Sequence, residues 1–234
     1  MTPASDAVAR AALNNAHWCA AVWRSHGLMV HITDGLWTSD GDPPPLYPNV
    51  VTVDPDADPA RQASRIGELY TARRRTAFSV KDSFGAMDLA PLGLAPLFDA
   101  LWLALDPVAK ARRPAAGAAP VEPVRTEGDL RAWEAAWRGA DAHEPRIFLP
   151  QLLDDPDILI LGQRDAHGEM IAGGIASEAA GRLGLTNLFG RARPILEALE
   201  RLRPGVPVVC YEQVTEAPRG WRALGPLRVW ATGG

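Results

Sequence analysis

A short segment in the C-terminal half of the chain combines residues that could hold an anionic group such as a phosphate. Its residues are Asn187, Leu188, Phe189, Gly190, Arg191, Ala192 and Arg193, and an aliphatic helix is predicted directly after them. A helix N-terminus leaves backbone N–H groups unpaired and carries a partial positive charge, so it binds anions where no side chain blocks the approach. Gly190 and Ala192 keep this approach open. Arg191 and Arg193 add positive charge nearby. The alternative to an anion site is that Gly190 and Ala192 serve only the close packing of a strand against a helix.

Three residues near the ends of predicted strands could transfer protons. Glu178 ends the middle strand of a predicted meander, and Glu212 ends the strand that follows the helix, where ligands collect in sheets with parallel pairs. A carboxylate whose pKa lies near the working pH can act as a general base, and Glu212 is the preferred candidate. Tyr211 is a candidate acid, although its side chain should point to the opposite face from Glu212. For either carboxylate, a solvated side chain at a strand end is the alternative.

The N-terminal half offers a second group of polar and aromatic residues that could line a binding pocket. Lys81, Asp82 and Ser83 follow an apolar strand, while Trp37 and Tyr47 lie in a Pro-rich segment. Loops often carry binding residues, so the five residues are candidates for substrate binding. A turn with a solvated Lys–Asp pair is the alternative for the first three.

Hydrophobic periodicity and turn residues predict the elements that must position these side chains. Helices are predicted at residues 5–26, 59–73, from 127 onward and 194–202, and strands at 50–53, 76–80, 97–105, 158–163, 170–178, 183–189, 206–212 and 227–231. The rest of the segment 35–58 is predicted as loop. Residues 108–123 are rich in Ala and Pro and lack periodicity, which predicts a linker between domains at 1–107 and 124–234.

The two halves also share a faint pattern of strand, turn and strand. With one gap, residues 77–83, 93–94 and 97–102 correspond to residues 206–212, 220–221 and 224–230. The pattern indicates either a duplicated unit or a chance match between two units that both end in Trp.

Composition restricts the class of ligand. The 234 residues include 47% hydrophobic and 22% charged residues, which is typical of a globular protein, and the net charge of -4 does not favour nucleic-acid binding. No stretch of about 18 apolar residues predicts a membrane span, so we expect a cytoplasmic protein. Cys19 and Cys210 are expected as buried thiols, and no His, Cys or acidic cluster has the spacing of a metal site. A small-molecule ligand fits this composition best, and the oligomeric state stays open.

The order of elements from Leu130 to Trp230 resembles the cofactor-binding core of the GNAT superfamily of acyl-CoA N-acyltransferases. Three antiparallel strands precede a loop similar to the family's Q/R-x-x-G-x-G/A pattern, in which Gly190 and Ala192 fall in register. The ending from Gly220 to Trp230 is similar to the closing turn and strand of these folds. The loop departs from the pattern because Asn187 replaces a longer Gln or Arg, Phe189 occupies a usually polar position, and the following Pro194 removes a backbone donor.

This resemblance implies an α/β (α+β) fold with a GNAT-like mixed sheet flanked by helices, and the internal echo allows two tandem GNAT-like halves. It also implies an acyl-CoA-dependent N-acyltransferase, most simply an N-acetyltransferase using acetyl-CoA, that acts on the amine of a small molecule. A backbone N–H near Asn187 or Leu188 would polarise the thioester carbonyl. Two alternatives stay open: a non-catalytic GNAT-like protein that binds a metabolite or a protein partner, and different chemistry with Lys81, Asp82 and Ser83 as the reactive group.

Overall fold

The computed structural model describes residues 3–73, 77–106, 119–139 and 145–233, in which a single mixed sheet carries the fold. The strands are β1 Val30–Thr33, β2 Leu36–Ser39, β3 Val50–Thr52, β4 Ser79–Asp82, β5 Leu94–Leu105, β6 Val121–Pro123, β7 Ile158–Arg164, β8 Met170–Ala179, β9 Arg182–Phe189, β10 Val208–Glu212 and β11 Arg222–Thr232. The helices are α1 Pro3–Ser25, α2 Pro59–Ala72, α3 Glu127–Arg138 and α4 Ala192–Leu202. None of these helices is long and apolar enough to cross a membrane.

The sheet order is β1-β2-β3-β4-β11-β5-β10-β9-β8-β7-β6. In the described sheet, β3 pairs with β4 and β9 with β10 in parallel, and the other neighbours are antiparallel. Helices α1 and α3 share a core on one face of the sheet, whereas α2 and α4 pack on the opposite face. The predicted α/β fold with a mixed sheet flanked by helices is confirmed.

The topology repeats itself along the chain. An antiparallel meander (β1 to β3, then β7 to β9) is followed by a helix (α2, then α4), by a parallel strand (β4, then β10) and by a long final strand (β5, then β11). The faint sequence echo falls on these equivalent strands, so the prediction of tandem GNAT-like halves is confirmed. The final strands are exchanged between the halves, because β11 lies between β4 and β5 and pairs antiparallel with both.

The predicted linker lies only partly within the described residues. Residues 108–118 are outside them, but Val121–Pro123 forms β6, which pairs with β7 at the edge of the sheet. Segments 1–107 and 124–234 both contribute strands to the same sheet. Their division into two domains stays a prediction.

A hairpin replaces part of the predicted loop 35–58. Strands β1 and β2 pair through a turn in which Asp34 and Gly35 have φ of +53° and +72°. Two successive residues with positive φ are typical of a type I′ hairpin turn. Every residue of Leu36–Ser39 is buried, so alternation of polar and apolar residues gives no signal for β2.

Candidate functional site

A cleft opens in the sheet between β9 and β10. The two parallel strands pair only at Leu183 with Val208 and at Gly184 with Val209. Beyond this point β9 continues to pair with β8, while β10 continues to pair with β5 as far as Glu212. The strands therefore separate toward their C-terminal ends, where ligands bind in sheets of this kind.

The separated part of β9 contains a β-bulge. Thr186 pairs with Ile175 and Phe189 with Gly173, so Asn187 and Leu188 together oppose Gly174. Asn187 has φ of +52°, and its Oδ1 accepts a hydrogen bond from Thr186 Oγ1 at 3.0 Å. A bulge leaves one residue out of the ladder. The bulge lies where an oxyanion-stabilising N–H was predicted, and that role of the backbone stays a prediction.

The segment after the bulge leads into an open helix N-terminus. Arg191 is the N-cap of α4, and no side chain caps the first turn. The exposed Arg191 has no ion pair within the described residues, whereas Arg193 Nε donates to Glu197 Oε1 at 2.9 Å. A Cβ on Gly190 would lie 2.3 Å from the carbonyl oxygen of Ile171, so close packing on β8 alone already requires glycine here. Phe189 packs edge-on against Trp133, with ring centroids 5.3 Å apart.

The equivalent position of the N-terminal half has the opposite charge. The segment between β3 and α2 contains Asp54, Asp56 and Asp58, and Asp58 Oδ1 accepts from the backbone N–H of Ala60 at 2.9 Å. This carboxylate occupies the α2 N-terminus, which disfavours a phosphate there. Of these two helix N-termini, α4 is the one that suits an anionic ligand.

A cavity of about 430 Å³ lies beside the cleft, on the face of the sheet that α1 covers. Its wall includes residues of α1, of the Pro-rich segment 43–48, and of β4, β5, β9, β10 and β11. The lining includes Trp18, Tyr47, Lys81, Phe98, Asn187 and Tyr211. We call this space the central cavity. Its size is within the range of small-molecule sites.

Lys81 places a buried cation at the wall of the central cavity, since the residue is only 5% exposed. Its Nζ donates to Asn15 Oδ1 at 2.8 Å and to Tyr211 Oη at 3.2 Å, and lies 4.4 Å from the centroid of the Tyr211 ring. No Asp or Glu of the described chain forms an ion pair with it. Burial opposes the charged form, but the Coulombic influence of Tyr211 and Cys19 and the hydrogen bond to Tyr211 Oη outweigh it, so the pKa of Lys81 is raised overall.

Tyr47 contributes a second buried polar atom to the cavity wall. Its Oη has no hydrogen bond of acceptable geometry within the described residues, although the Trp18 indole lies close to it. Burial raises the pKa of Tyr47 well above its ordinary value, so the hydroxyl keeps its proton. The neighbouring Leu46 is 81% exposed and has φ of +70°, a rare backbone conformation for leucine. Such strain is often found at binding sites.

Of the five residues predicted to bind substrate, Lys81 and Tyr47 line the central cavity, and three lie elsewhere. Trp37 is buried against His17, with ring centroids 4.8 Å apart. Asp82 accepts from the backbone N–H of Met87 at 2.8 Å and holds the turn after β4. Ser83 is buried in that turn, where its carbonyl oxygen accepts from Trp102 Nε1. These three residues shape the surrounding structure.

The three candidates for proton transfer do not converge. Tyr211 lines the central cavity, whereas Glu212 follows it in β10 and points to the opposite face, as strand alternation predicts. Burial raises the pKa of Glu212. Glu178 Oε2 accepts from Arg203 Nε at 2.9 Å, beyond the C-terminal end of α4. Both carboxylates therefore lie outside the cavity wall, and their predicted role as a base stays a prediction.

Sequence reasoning missed most of the cavity wall, including Asn15, Trp18 and Phe98. A signal for Asn15 was present, since two asparagines interrupt the apolar face of α1. Asn14 has a structural role, because its Nδ2 lies 2.9–3.1 Å from the carbonyl oxygens of Ser177, Ala179 and Arg182. Asn15 is the one of the two that lines the cavity. Trp18 and Phe98 could not be distinguished from ordinary core residues. Within the described chain, no group of three or more His, Cys, Asp or Glu residues could hold a metal ion.

Solved structures of other proteins share the fold of this chain. No protein-family model matches the sequence, and no curated protein matches it. A GCN5-related N-acetyltransferase from Kribbella flavida has a similar structure, with a TM-score of 0.61 and 16% identity over 96% of this chain and 95% of that chain. A GNAT-family protein from Novosphingobium aromaticivorans DSM 12444 has a TM-score of 0.53 and 14% identity over 92% of this chain and 96% of that one. The protein therefore has the GNAT fold over almost its whole length, which confirms the resemblance first noted in its C-terminal half.

Proposed function

We propose that the protein is an acyl-CoA-dependent N-acyltransferase that acts on the amine of a small molecule, with acetyl-CoA or another acyl-CoA as co-substrate. The observation that carries the proposal is the cleft between β9 and β10, which has a bulge at Asn187 and Leu188 on one side and the central cavity beside it. The similarity to N-acetyltransferases of the same fold supports it. Fold alone does not determine activity, so the assignment depends on the site.

The residues around the cleft suit the parts of an acyl-CoA. The backbone N–H groups of Ala192 and Arg193, in the uncapped first turn of α4, would hold the pyrophosphate together with the Arg191 side chain. The bulged backbone at Asn187 and Leu188 would donate to the thioester carbonyl oxygen. Acyl-CoA supplies a thioester whose carbonyl carbon is attacked by the amine and whose thiolate leaves.

Tyr211 is the proposed acid for the leaving thiolate. Its Oη accepts from Lys81 Nζ, so its own O–H proton is available for donation into the central cavity. Wall residues identified for this cavity include no Asp or Glu. The ammonium proton of the acceptor would then pass to water at the mouth of the cavity, while Glu212 and Glu178 keep only their predicted role.

The test of CoA binding uses Arg191→Asp. Aspartate is a preferred N-cap, so it should preserve or increase the stability of α4 while its charge repels a phosphate. We expect the affinity for CoA, measured by isothermal titration calorimetry, to fall at least about tenfold, or about 1.4 kcal/mol. The matched control is Arg125→Asp, since Arg125 is exposed, has no ion pair among the described residues and precedes the Thr126 N-cap of α3. Equal losses in both variants would contradict the assignment of the loop.

Transfer itself is tested by following thiol release from acetyl-CoA and longer acyl-CoAs with a panel of small amines. The second candidate, a non-catalytic protein with the same fold, is favoured by the Phe189 side chain packed into the core and by the cavity wall without an identified carboxylate. It predicts ligand binding without thiol release. No binding of CoA or of any acyl-CoA by the unmodified protein would overturn the main proposal.

A further inference from the structure

The unusual feature of the central cavity is a buried ammonium group without a carboxylate partner. Lys81 Nζ has three N–H donors, of which two are directed to Asn15 Oδ1 and Tyr211 Oη. Asn15 is already shared, because Cys19 Sγ also approaches its Oδ1 at 3.8 Å. The remaining donor has no hydrogen-bonding partner within the described residues. Because Lys81 lines an open cavity, a ligand there could accept from this donor.

A buried charge is costly unless an opposite charge accompanies it. None of the neighbours that stabilise Lys81 is a carboxylate: they are an amide oxygen, a hydroxyl and an aromatic ring. An anionic group of a ligand at this position would supply the missing counter-charge and accept the third hydrogen bond. A carboxylate suits a single ammonium because it is compact and carries a single negative charge.

The rest of the cavity suits an apolar group. Trp18 and Tyr47 form one aromatic pair, with ring centroids 6.1 Å apart, and Phe98 stacks on Tyr211 at 6.4 Å. Leu46 and Leu97, which are 81% and 62% exposed, form part of the cavity's lining. The unpartnered Tyr47 Oη offers one further polar contact in this otherwise apolar wall.

We propose that the central cavity binds a small carboxylate whose anionic group contacts Lys81 Nζ and whose apolar part packs against Trp18 and Phe98. Combined with the proposed function, on which this step rests, the acceptor is an amino acid with an apolar or aromatic side chain. Lys81 then fixes the carboxylate, while the amine is directed toward the bulge at Asn187.

The binding test needs no acyl-CoA. The full chain is titrated with 3-phenylpropionate and with its neutral isostere 3-phenylpropanamide by isothermal titration calorimetry. We expect the carboxylate to bind at least about tenfold more tightly than the amide, and this preference to disappear in Lys81→Met. Methionine keeps the length and apolar stem of lysine, and replacing a buried charge by an apolar group is often tolerated.

Arg125→Gln is the matched control, because it removes one positive charge from an exposed position and should leave the preference intact. Equal affinities for the carboxylate and the amide in the unmodified protein would overturn the proposal even if Lys81→Met did not fold. An unchanged preference in folded Lys81→Met would also overturn it.

The substrate assignment is tested separately from acyl transfer. If transfer occurs, phenylalanine should be acylated with a kcat/KM at least about tenfold above that of 2-phenylethylamine. Equal values would overturn the amino-acid assignment and leave the acyltransferase intact. Carboxylate binding without any transfer would instead support the site and contradict the proposed function.

Discussion

At the scale of single residues, Gly190 serves the packing of the sheet as well as the approach to the α4 N-terminus. Its φ is +69°, and a Cβ would meet the Ile171 carbonyl oxygen at 2.3 Å and Ala172 Cβ at 2.7 Å. A glycine in this loop is therefore not evidence for a phosphate, and its replacement is a poor test of CoA binding. Arg191 is the better position, because its side chain lies outside the packing.

Gly190→Ala should destabilise the protein more than Gly205→Ala. Both residues have positive φ, which costs an alanine about 1–2 kcal/mol, but the space around Gly205 is open to at least 4 Å. The contact with β8 should add roughly 1–3 kcal/mol at Gly190. Urea-induced unfolding measures both free energies. Equal losses would show that the backbone conformation alone requires glycine at position 190.

The two thiols should be unreactive in the folded protein. Burial raises the pKa of Cys19, and burial together with the Glu212 carboxylate raises the pKa of Cys210 to about 12. Since only the thiolate reacts, a disulfide reagent at about pH 8 should modify neither residue rapidly, but both after unfolding in guanidinium. A fast reaction before unfolding would contradict this, and Cys19→Ser and Cys210→Ser would identify the thiol responsible.

Strand alternation explains which candidate residues sequence reasoning could place. It correctly separates Tyr211 from Glu212, and the same rule separates Lys81 from Asp82 on β4, although both were assigned to one pocket. The rule does not say which face of a strand meets which half of the chain. Lys81 and Tyr211 are 130 positions apart, and only the packing of β4, β5, β10 and β11 brings them together.

At the scale of elements, the meander β7 to β9 and the helix α4 were predictable to within two residues at each end. Their sequences combine apolar runs with clear turns, such as Ala180 and Gly181. The hairpin β1 to β2 was missed because its strands have four residues each and β2 is buried throughout. The dipeptide Asp34-Gly35 is a hairpin signal that could have revealed it.

Helix α3 depends on a buried ionic cluster around Glu134. Its Oε1 accepts from the backbone N–H of Ile147 at 2.6 Å and lies 3.0 Å from Arg138 Nη2, while Oε2 lies 3.4 Å from Arg146 Nε. The side chains of Glu134 and Arg138 are 5% and 6% exposed. This cluster joins the helix to the segment that follows it.

Glu134→Ala should destabilise the protein by about 3–5 kcal/mol, because it removes the carboxylate that pairs with the buried Arg138 and accepts from the Ile147 N–H. The control is Glu68→Ala on α2, which removes an exposed pair with Arg65 and should cost no more than about 1 kcal/mol. Thermal and urea unfolding measure both changes. Similar losses in the two variants would contradict a structural role for the buried cluster.

At the scale of the whole molecule, the central cavity belongs to both halves. Lys81 comes from β4 in the first half and Tyr211 from β10 in the second. Helix α1 contacts strands of both halves. On α1, Asn14 Nδ2 donates to the Ser177 carbonyl oxygen near the turn between β8 and β9. The next residue, Asn15, accepts from Lys81 Nζ. A sequence echo reveals equivalent strands, but it does not reveal that β5 and β11 change places.

The exchange of final strands predicts that the halves cannot fold separately. Strand β5 is paired with β11 on one side and with β10 on the other, and β11 lies between β4 and β5. Fragments 1–112 and 113–234 would each expose long unpaired strand edges and part of the core. We therefore expect neither fragment alone to unfold cooperatively, whereas an equimolar mixture should recover the circular dichroism and thermal transition of the intact chain.

The control is the intact chain carrying an inserted protease site between residues 112 and 113. Cleavage after folding should leave the two fragments associated in size-exclusion chromatography, because the sheet does not depend on the covalent connection. Cooperative unfolding of fragment 113–234 alone would instead establish the predicted domain at 124–234 as independent. In that case the central cavity would have to form by docking of two domains, and Lys81 and Tyr211 would meet only in the complex.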